Sequence, residues 1–520
     1  MTKSIRRCPE PLRRVAAVRA HSETALAEKY SNHFTRYKKL LNRVSKATSY
    51  SGTKARIKVF FESYAVCYVA LVHSANKHKL VFTPAELDAL AKELAKSKDF
   101  SETIRITTQP KKSGGVRYTS KSGLKRRAIQ FLLNQAMAKL NIGYAFDTTL
   151  SGNGGRDNFV SSIMAACEER GLEYVVKFDI SDCYGSIDHK AAGDILDMFP
   201  KDVIAFHVLN HTRHYLYFND VKSEDRKHAT RMARRGIPQG SPSSSRLASA
   251  VIERLLEGVI ATGTCEVHIH GDDGAICTSS MSKAMAIKNA LPDRCKNHPF
   301  GPFRLKYCEV AEIPKGVSLL GYWIKSFPYY VSTSDAQMKD VVKPRLIAVP
   351  SHDSFRTFFA ELNRKMESVS DEDFVNEAWG FGRNWLGAYR LWKCQPYSNP
   401  DGSIQYDYPA QGVFNLTIQI MQAIYKEDKR RGGTKNLGWV LDFNARCVLS
   451  RAGLPQSAST SFPETRQMIL IEQDVSPLHL CYQPANKKQI WLSSLQKLYL
   501  VFRTLFSKID KTLSHSLKLN

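Results

Sequence analysis

Apolar residues recur at three-to-four spacing over residues 24–46 and again over 54–74, with few Gly or Pro, which predicts helices. The longest apolar stretch, 64–72, lies inside the second run. Thr83-Pro84-Ala85-Glu86 predicts a further helix start, with Thr83 as cap, Pro84 in the first turn and Glu86 closing a capping box. The first hundred residues therefore read as mainly helical. The pattern then changes. Lys111-Lys112-Ser113-Gly114-Gly115-Val116-Arg117 is a basic, Gly-containing hairpin signal, followed by a helical stretch to Leu140. From Tyr174 to about Lys325, short apolar strands alternate with helices. From Thr333 to the end the pattern is mostly helical, interrupted near 396–411 and at 430–434. No solenoid-type repeat is present.

Charge changes this picture. The 520 residues include 75 Lys or Arg and 49 Asp or Glu, a net charge of +26, and 43% are hydrophobic. The chain can bury a core, and its length suggests about three domains. Residues 1–100 hold 20 basic and 8 acidic residues, nearly half of the surplus. Such a surplus points to a polyanionic partner, nucleic acid or an anionic membrane surface, although a solvated basic bundle is the plainer reading of this segment. No apolar stretch approaches the ~20 residues of a spanning helix, so no membrane partner is expected. Lys3, Arg6 and Arg7 are not followed by an apolar segment, which argues against a secretory signal; the Arg-rich first twenty residues leave a transit peptide as a second reading. The 11 cysteines are scattered, with no CxxC pair, and a reducing cytoplasm is the expected setting.

Three segments carry candidate chemistry. In Tyr174-Val175-Val176-Lys177-Phe178-Asp179-Ile180 an apolar run ends in one acid at the rim of a sheet, where it can reach a metal or simply cap the next helix. In the run 267–277, Gly271-Asp272-Asp273-Gly274 places two acids between glycines and short apolar strands, the pattern of a tight hairpin. Neighbouring carboxylates repel, and a divalent cation is a reason to tolerate them; Mg²⁺ fits best, as a hard ion that leaves room for substrate phosphates. A plain Asp-Asp turn is the alternative. Between them, Arg235-Gly236-Ile237-Pro238-Gln239-Gly240-Ser241-Pro242 predicts a rigid loop open to close backbone approach, followed by a helix over 245–257. Residues 226–235 just upstream hold five basic residues and His228, a phosphate-facing pattern.

Taken in order, Phe178-Asp179…Tyr184, Gly236-Ile237-Pro238-Gln239-Gly240-Ser241-Pro242 and Gly271-Asp272-Asp273 resemble the palm motifs of reverse transcriptases. Lys111-Lys112…Gly114-Gly115…Arg117 resembles their fingers hairpin, Ser151-Gly152…Gly155-Arg156-Asp157 the segment before the first palm strand, and Leu305-Lys306 and Leu319-Leu320-Gly321-Tyr322 the lysine motif and primer grip. The resemblance covers roughly residues 105–325. It implies an α+β, right-hand polymerase fold, with fingers, a palm on an antiparallel sheet and a helical thumb, flanked by helical extensions. The domains would be a basic helical extension over 1–100, fingers and palm over 101–325, and thumb and C-terminal domain over 326–520.

The resemblance also implies roles. Asp179, Asp272 and Asp273, with the Ile180 carbonyl, would hold two Mg²⁺ ions about 4 Å apart, Mn²⁺ being a substitute, to activate the primer 3′-hydroxyl and neutralise the leaving pyrophosphate. Lys111, Lys112 and Arg117 would clamp the triphosphate, or form a solvated basic loop. Gln239 and Gly240 would line the nucleotide and template side. Lys306 would protonate pyrophosphate, or be a surface lysine. Leu320, Gly321 and Tyr322 would form the primer grip. Tyr184, five residues after Asp179, matches the aromatic that crowds the sugar 2′ position and favours dNTPs; core packing is its alternative. The chain departs from the pattern at His270, where an aromatic is expected, and its Gly-Asp-Asp tip is like that of RNA-dependent RNA polymerases.

The flanks show no protease, RNase H, integrase or HNH-like signature. The layout is similar to the bacterial defence-associated reverse transcriptases, including the abortive-infection group. That implies an RNA template, a noncoding RNA in particular, a DNA product made from dNTPs, and a homo-oligomer. Competing readings are a template-independent or relaxed-sugar polymerase and a non-catalytic RNA-binding protein on a decayed scaffold. In the C-terminal part, residues 427–435 form a basic loop that either grips a phosphate or is an exposed turn. Trp379, Trp385, Tyr389 and Trp392 suit core packing at helical spacing better than base stacking.

Overall fold

The computed structural model describes residues 20–433, apart from 79, 81, 111–115, 210–213, 261–264, 332–340, 393–395, 399–403 and 407, together with residue 444. Lys111 and Lys112 therefore lie outside the described residues, as does most of the chain after 433. Two compact units divide at Ala311/Glu312.

The first unit opens with four helices: α1 (Ala20–Val44), α2 (Tyr50–Glu62), α3 (Tyr64–Lys77) and α4 (Pro84–Lys96). The run expected as one helix over 54–74 is two, because Ser63 takes extended torsions between α2 and α3. The break separates helices of different character. Basic α2 buries only one face, whereas α3 is buried over Ala65–Val72 and forms the centre of the bundle. The capping box of α4 forms as its sequence predicts: the Glu86 N–H donates to Thr83 Oγ1 at 3.2 Å, and the Thr83 N–H donates to Glu86 Oε2 at 2.7 Å.

Strands β1 (Thr103–Pro110) and β2 (Val116–Lys121) then pair antiparallel. Helix α5 (Leu124–Lys139) follows, capped at a distance: Glu102 Oε1 and Oε2 accept from the Lys125 and Arg126 N–H groups at 3.0 and 3.1 Å. This carboxylate replaces the side chain that Gly123, at the cap position, lacks.

Helix α6 (Gly155–Arg170) leads into β3 (Tyr174–Ser181), then the short helices α7 (Cys183–Ser186), α8 (His189–Ile195) and α9 (Lys201–Val203), a π-turn over Ile204–Val208, and β4 (Tyr215–Asn219). Strand β4 adds in parallel to β1, giving a sheet of order β2-β1-β4. Helices α10 (Arg226–Ala233) and α11 (Ser244–Ile260) precede the hairpin β5 (Cys265–His270) and β6 (Asp273–Thr278); α12 (Met281–Lys296) and β7 (Arg304–Glu312) complete the unit. A second sheet runs β5-β6-β3-β7. One core joins α3, α5 and α11 to this sheet through residues such as Leu71, Leu132, Val176, Leu247 and Ile276.

In the second unit, β8 (Val317–Leu319), β9 (Tyr322–Val331) and β10 (Val341–Pro350) form an antiparallel sheet of order β10-β9-β8. Helical structure was expected from Thr333 onward, but 341–350 is a strand. Its run of Val, Pro and Ile favours an extended chain over a helix. Helices α13 (His352–Ser368) and α14 (Phe374–Gly387), the short hairpin β11 (Pro396–Ser398) and β12 (Ile404–Tyr406), and α15 (Tyr408–Arg430) follow. Trp379, Tyr389 and Trp392 are core residues, and the Trp385 ring packs on Phe358 and Tyr389 at 4.6 Å. Within the basic segment after 426, Glu427 is buried and accepts from Arg430 and Arg431, while Arg431 also donates to Asp371 and to the Met366 and Val369 carbonyls. Arg431 is thus a structural tie rather than a free phosphate ligand.

Candidate active site

The β5–β6 hairpin and β3 bring the acids together. Asp273 opens β6 and pairs directly with Asp179 on β3, and Gly274 pairs with Phe178. The Ile180 N–H donates to the Asp272 carbonyl at 3.1 Å, which fixes the turn against the end of β3. Asp179 and Asp273, 94 residues apart in sequence, thus project from adjacent strands. Gly274 permits this closeness, because a Cβ there would lie 2.1 Å from the Phe178 ring.

The carboxylates have partners. Lys306, on β7, donates to Asp179 Oδ2 at 3.0 Å, and the Tyr307 hydroxyl donates to Asp273 Oδ1 at 3.1 Å. Burial, then the charges of Asp179 and Asp272, raise Asp273 to about 6. Burial and Asp179 also raise Asp272, opposed by Arg117 and Lys306. The bond to Asp179 raises Lys306. Like charges crowded at a half-buried turn favour binding of a cation. Among the described residues, no three His, Cys, Asp or Glu side chains already form a metal cage. The donor set is nevertheless all oxygen, which fits a hard divalent ion.

Tyr184, on α7, is half-buried, and burial raises its phenol. Its carbonyl accepts from the Ile237 N–H at 2.9 Å. This joins it to the loop at 236–240, where Gly236 has φ +53° and a Cβ would fall 1.9 Å from that carbonyl. The Gly236 carbonyl in turn pairs with His189 Nε2 at 2.6 Å. At the far end of the loop the Gln239 carbonyl accepts from the Ser120 N–H at 3.1 Å, so Gln239 and Gly240 lie against β2. Arg117, also on β2, is near enough to act on both Asp272 and Tyr184. Arg235 pairs with Asp182 at 3.6 Å.

The first unit therefore brings Asp179, Ile180, Asp272, Asp273, Arg117 and Lys306 together, with Tyr184 tied to the loop that carries Gln239 and Gly240. Leu320, Gly321 and Tyr322 belong to the second unit. There Leu320 and Gly321 turn the chain with φ +48° and +84°, and Tyr322 is fully buried, its ring 5.0 Å from that of Tyr389.

Residues 109–324 match the family model for reverse transcriptase (RNA-dependent DNA polymerase). Those residues are thus similar to a reverse transcriptase domain. Domains of this kind use divalent metal ions. No curated protein matches the chain. Among solved structures, telomerase from Candida albicans, in complex with a fragment of telomeric RNA, is similar at 11% identity and a TM-score of 0.32, over 70% of this chain and 64% of that one. The chain thus spans less than two thirds of that protein's length.

Sequence reasoning missed two residues that bear on the acids, Asp147 and Tyr307. Asp147 is fully buried, and its Oδ1 accepts from the Thr149 N–H (2.9 Å), the Thr149 hydroxyl (2.7 Å) and the Gly271 N–H (3.2 Å). Beside it, Thr148 donates to the Ile269 carbonyl and shares a 2.9 Å hydrogen bond with His270 Nδ1. Asp147 thus ties the acidic turn to the segment before α6. The turn-forming Asp147-Thr148-Thr149 was its only signal in the sequence. Tyr307, next to the lysine, was likewise unmarked.

Proposed function

We propose that the chain is an RNA-directed DNA polymerase, a nucleotidyltransferase that extends a primer with dNTPs, with Asp179, Asp272 and Asp273 as its metal-binding acids. The observation that carries this is the direct cross-strand pairing of Asp179 with Asp273, closed by the Ile180–Asp272 backbone bond, within a reverse transcriptase domain. Two Mg²⁺ ions held there, with the Ile180 carbonyl as a further ligand, would supply activation of the primer hydroxyl and charge neutralisation on the leaving pyrophosphate.

The chain's own groups do the rest. Lys306, already paired with Asp179, stands at the rim of the acids, where its ammonium can give a proton to pyrophosphate. Arg117, with Lys111 and Lys112, binds the triphosphate. Tyr184 crowds the sugar 2′ position, and its tie to Ile237 steadies it against the loop carrying Gln239 and Gly240. In this reading the β2-β1-β4 sheet belongs to the fingers, the β5-β6-β3-β7 sheet is the palm, and Leu320, Gly321 and Tyr322 precede a helical thumb. The domain boundaries are then those expected above, at 100/101 and 325/326.

The finer biology rests on the layout of the chain: a cytoplasmic enzyme of bacterial antiviral defence, working on a noncoding RNA, without a membrane partner and assembled as a homo-oligomer. Among the described residues no helix is long and apolar enough to cross a membrane, and all seven described cysteines are free thiols.

Primer extension on an RNA template with Mg²⁺ tests the assignment. Incorporation of dNTPs is expected with the native chain and is expected to vanish in Asp272→Ala. Incorporation retained by that variant overturns the site.

A further inference from the structure

Lys54, Lys58 and Glu62 recur at four-residue spacing on α2, which puts them on one side of the helix, with Phe61 beside them. Together with Lys96 and Lys98 at the end of α4, and with Met198 and Asp202 from the segment around the start of α9, they line a cavity of about 280 Å³. Lys54, Lys58 and Lys96 are exposed, whereas Phe61 is 1% and Lys98 only 4% exposed. The cavity thus has a rim of lysines and one ammonium in its depth. Lys98 Nζ donates to the Leu94 carbonyl and forms no ion pair among the described residues. Burial lowers Lys98, against the attraction of Cys67, Asp202 and Glu62. An ammonium taken out of water with N–H groups left unbonded is costly unless an anion joins it. None of these residues belongs to the group around Asp272 and Asp273.

We propose that this cavity is a binding site for a small phosphate monoester, whose phosphate meets Lys98 and the lysine rim and whose apolar body lies on Phe61 and Met198. Four lysines against two carboxylates leave two positive charges in excess. A phosphate monoester carries about −1.5 to −2 near pH 7, which matches that excess. Lys98 has N–H groups to give and the phosphate has three oxygens to accept them, while the exposed lysines add charge without fixed geometry. Glu62 lies 3.9 Å from Lys58 and competes with the ligand for it. The size also selects the ligand. Cavities for small molecules run from about 300 to 1,000 Å³, and this one is at the lower end, with room for one phosphate and a compact body. A nucleic-acid strand instead follows an open groove over several nucleotides. The site goes beyond the polymerase reading, because it needs neither metal, primer nor template.

The test is fluorine NMR titration of 4-fluorophenyl phosphate with the full chain, in phosphate-free buffer without divalent ions or dNTPs, so that an inactive enzyme still answers it. A Kd below about 1 mM is expected for this small probe. Neutral 4-fluorophenol should bind at least about tenfold more weakly, since it lacks the charged hydrogen bonds. Lys98→Met, which keeps the stem and removes the charge, should weaken the ester at least about tenfold. Glu62→Gln changes an exposed residue and should tighten it about two- to fivefold, an opposite shift that does not depend on Lys98→Met folding. Asp272→Asn/Asp273→Asn should stay within about twofold of native, because the acids lie outside the cavity. Native affinity in Lys98→Met together with no gain in Glu62→Gln overturns the proposal. Inorganic phosphate binding as tightly as the ester would make free phosphate the occupant and overturn the assignment to an ester. Loss of ester binding when the chain is saturated with a 15-nucleotide oligo(dT) would place the probe on a nucleic-acid surface, and the proposal would fall.

Discussion

Asp147 and Gly271 lie 124 residues apart, and the Gly271 N–H donates to the Asp147 carboxylate at 3.2 Å. The turn bearing Asp272 and Asp273 is therefore set by a side chain from another part of the fold. Asp147→Ala removes three accepted bonds at once. Small displacements at a reacting centre can cost about 100-fold. We expect kcat for primer extension to fall about 10- to 100-fold with KM for dNTP little changed, and Asp147→Asn, which keeps an accepting oxygen, to recover much of it. An unchanged kcat in a folded Asp147→Ala protein would remove Asp147 from this role.

Gly274→Ala should act through Phe178. The added methyl meets a ring one residue from Asp179, and relief requires the ring or strand to move. A loss of about 1–3 kcal/mol of stability is expected, together with a deeper loss of activity than stability alone explains. Thermal unfolding and primer extension, compared with a distant core variant of equal stability loss, check this.

Tyr184→Ala opens space where the sugar is proposed to lie, and should raise rNTP incorporation relative to dNTP by about tenfold or more. Paired incorporation assays read the ratio directly. An unmoved ratio would leave Tyr184 as packing between α7 and the 236–240 loop.

Acid stability should track buried histidines. His207 is fully buried, bonded through Nε2 to the Lys98 carbonyl at 2.6 Å, and burial lowers it to about 3; His268 is lowered to about 4. Below the unfolded value near 6.5 the unfolded chain binds these protons first. Their contribution is therefore complete above pH 6.5 and declines as the pH falls toward 3, by up to about 1.4 kcal/mol per unit for each group. Denaturant midpoints between pH 7 and 5 should fall, and less steeply in His207→Gln. Parallel slopes would show that another group governs the acid limb.

Local chemistry was the most legible part of the sequence. Thr83, Pro84 and Glu86 announce a helix start because the signal is complete within four residues. Asp272 and Asp273 between glycines announce a hairpin for the same reason. Register was not legible: that Asp179 faces Asp273, and not a neighbour two residues away, depends on the whole sheet. Nor was Glu102 as the cap of α5, or Asp147 beneath the turn, since each acts on backbone far along the chain. The helical expectation for 341–350 failed because a strand paired along one side has no clear period of its own, and β9 supplied its partner.

On the metal-binding role proposed for these acids, the ion pair between Lys306 and Asp179 has a consequence before any divalent cation is bound. An ammonium group already offsets charge at the most acidic point of the sheet, so the newly made chain has a stand-in counterion during folding. Loading then becomes an exchange of one cation for another instead of the filling of a bare, mutually repelling triad, and chelation should strip activity while leaving the sheet assembled.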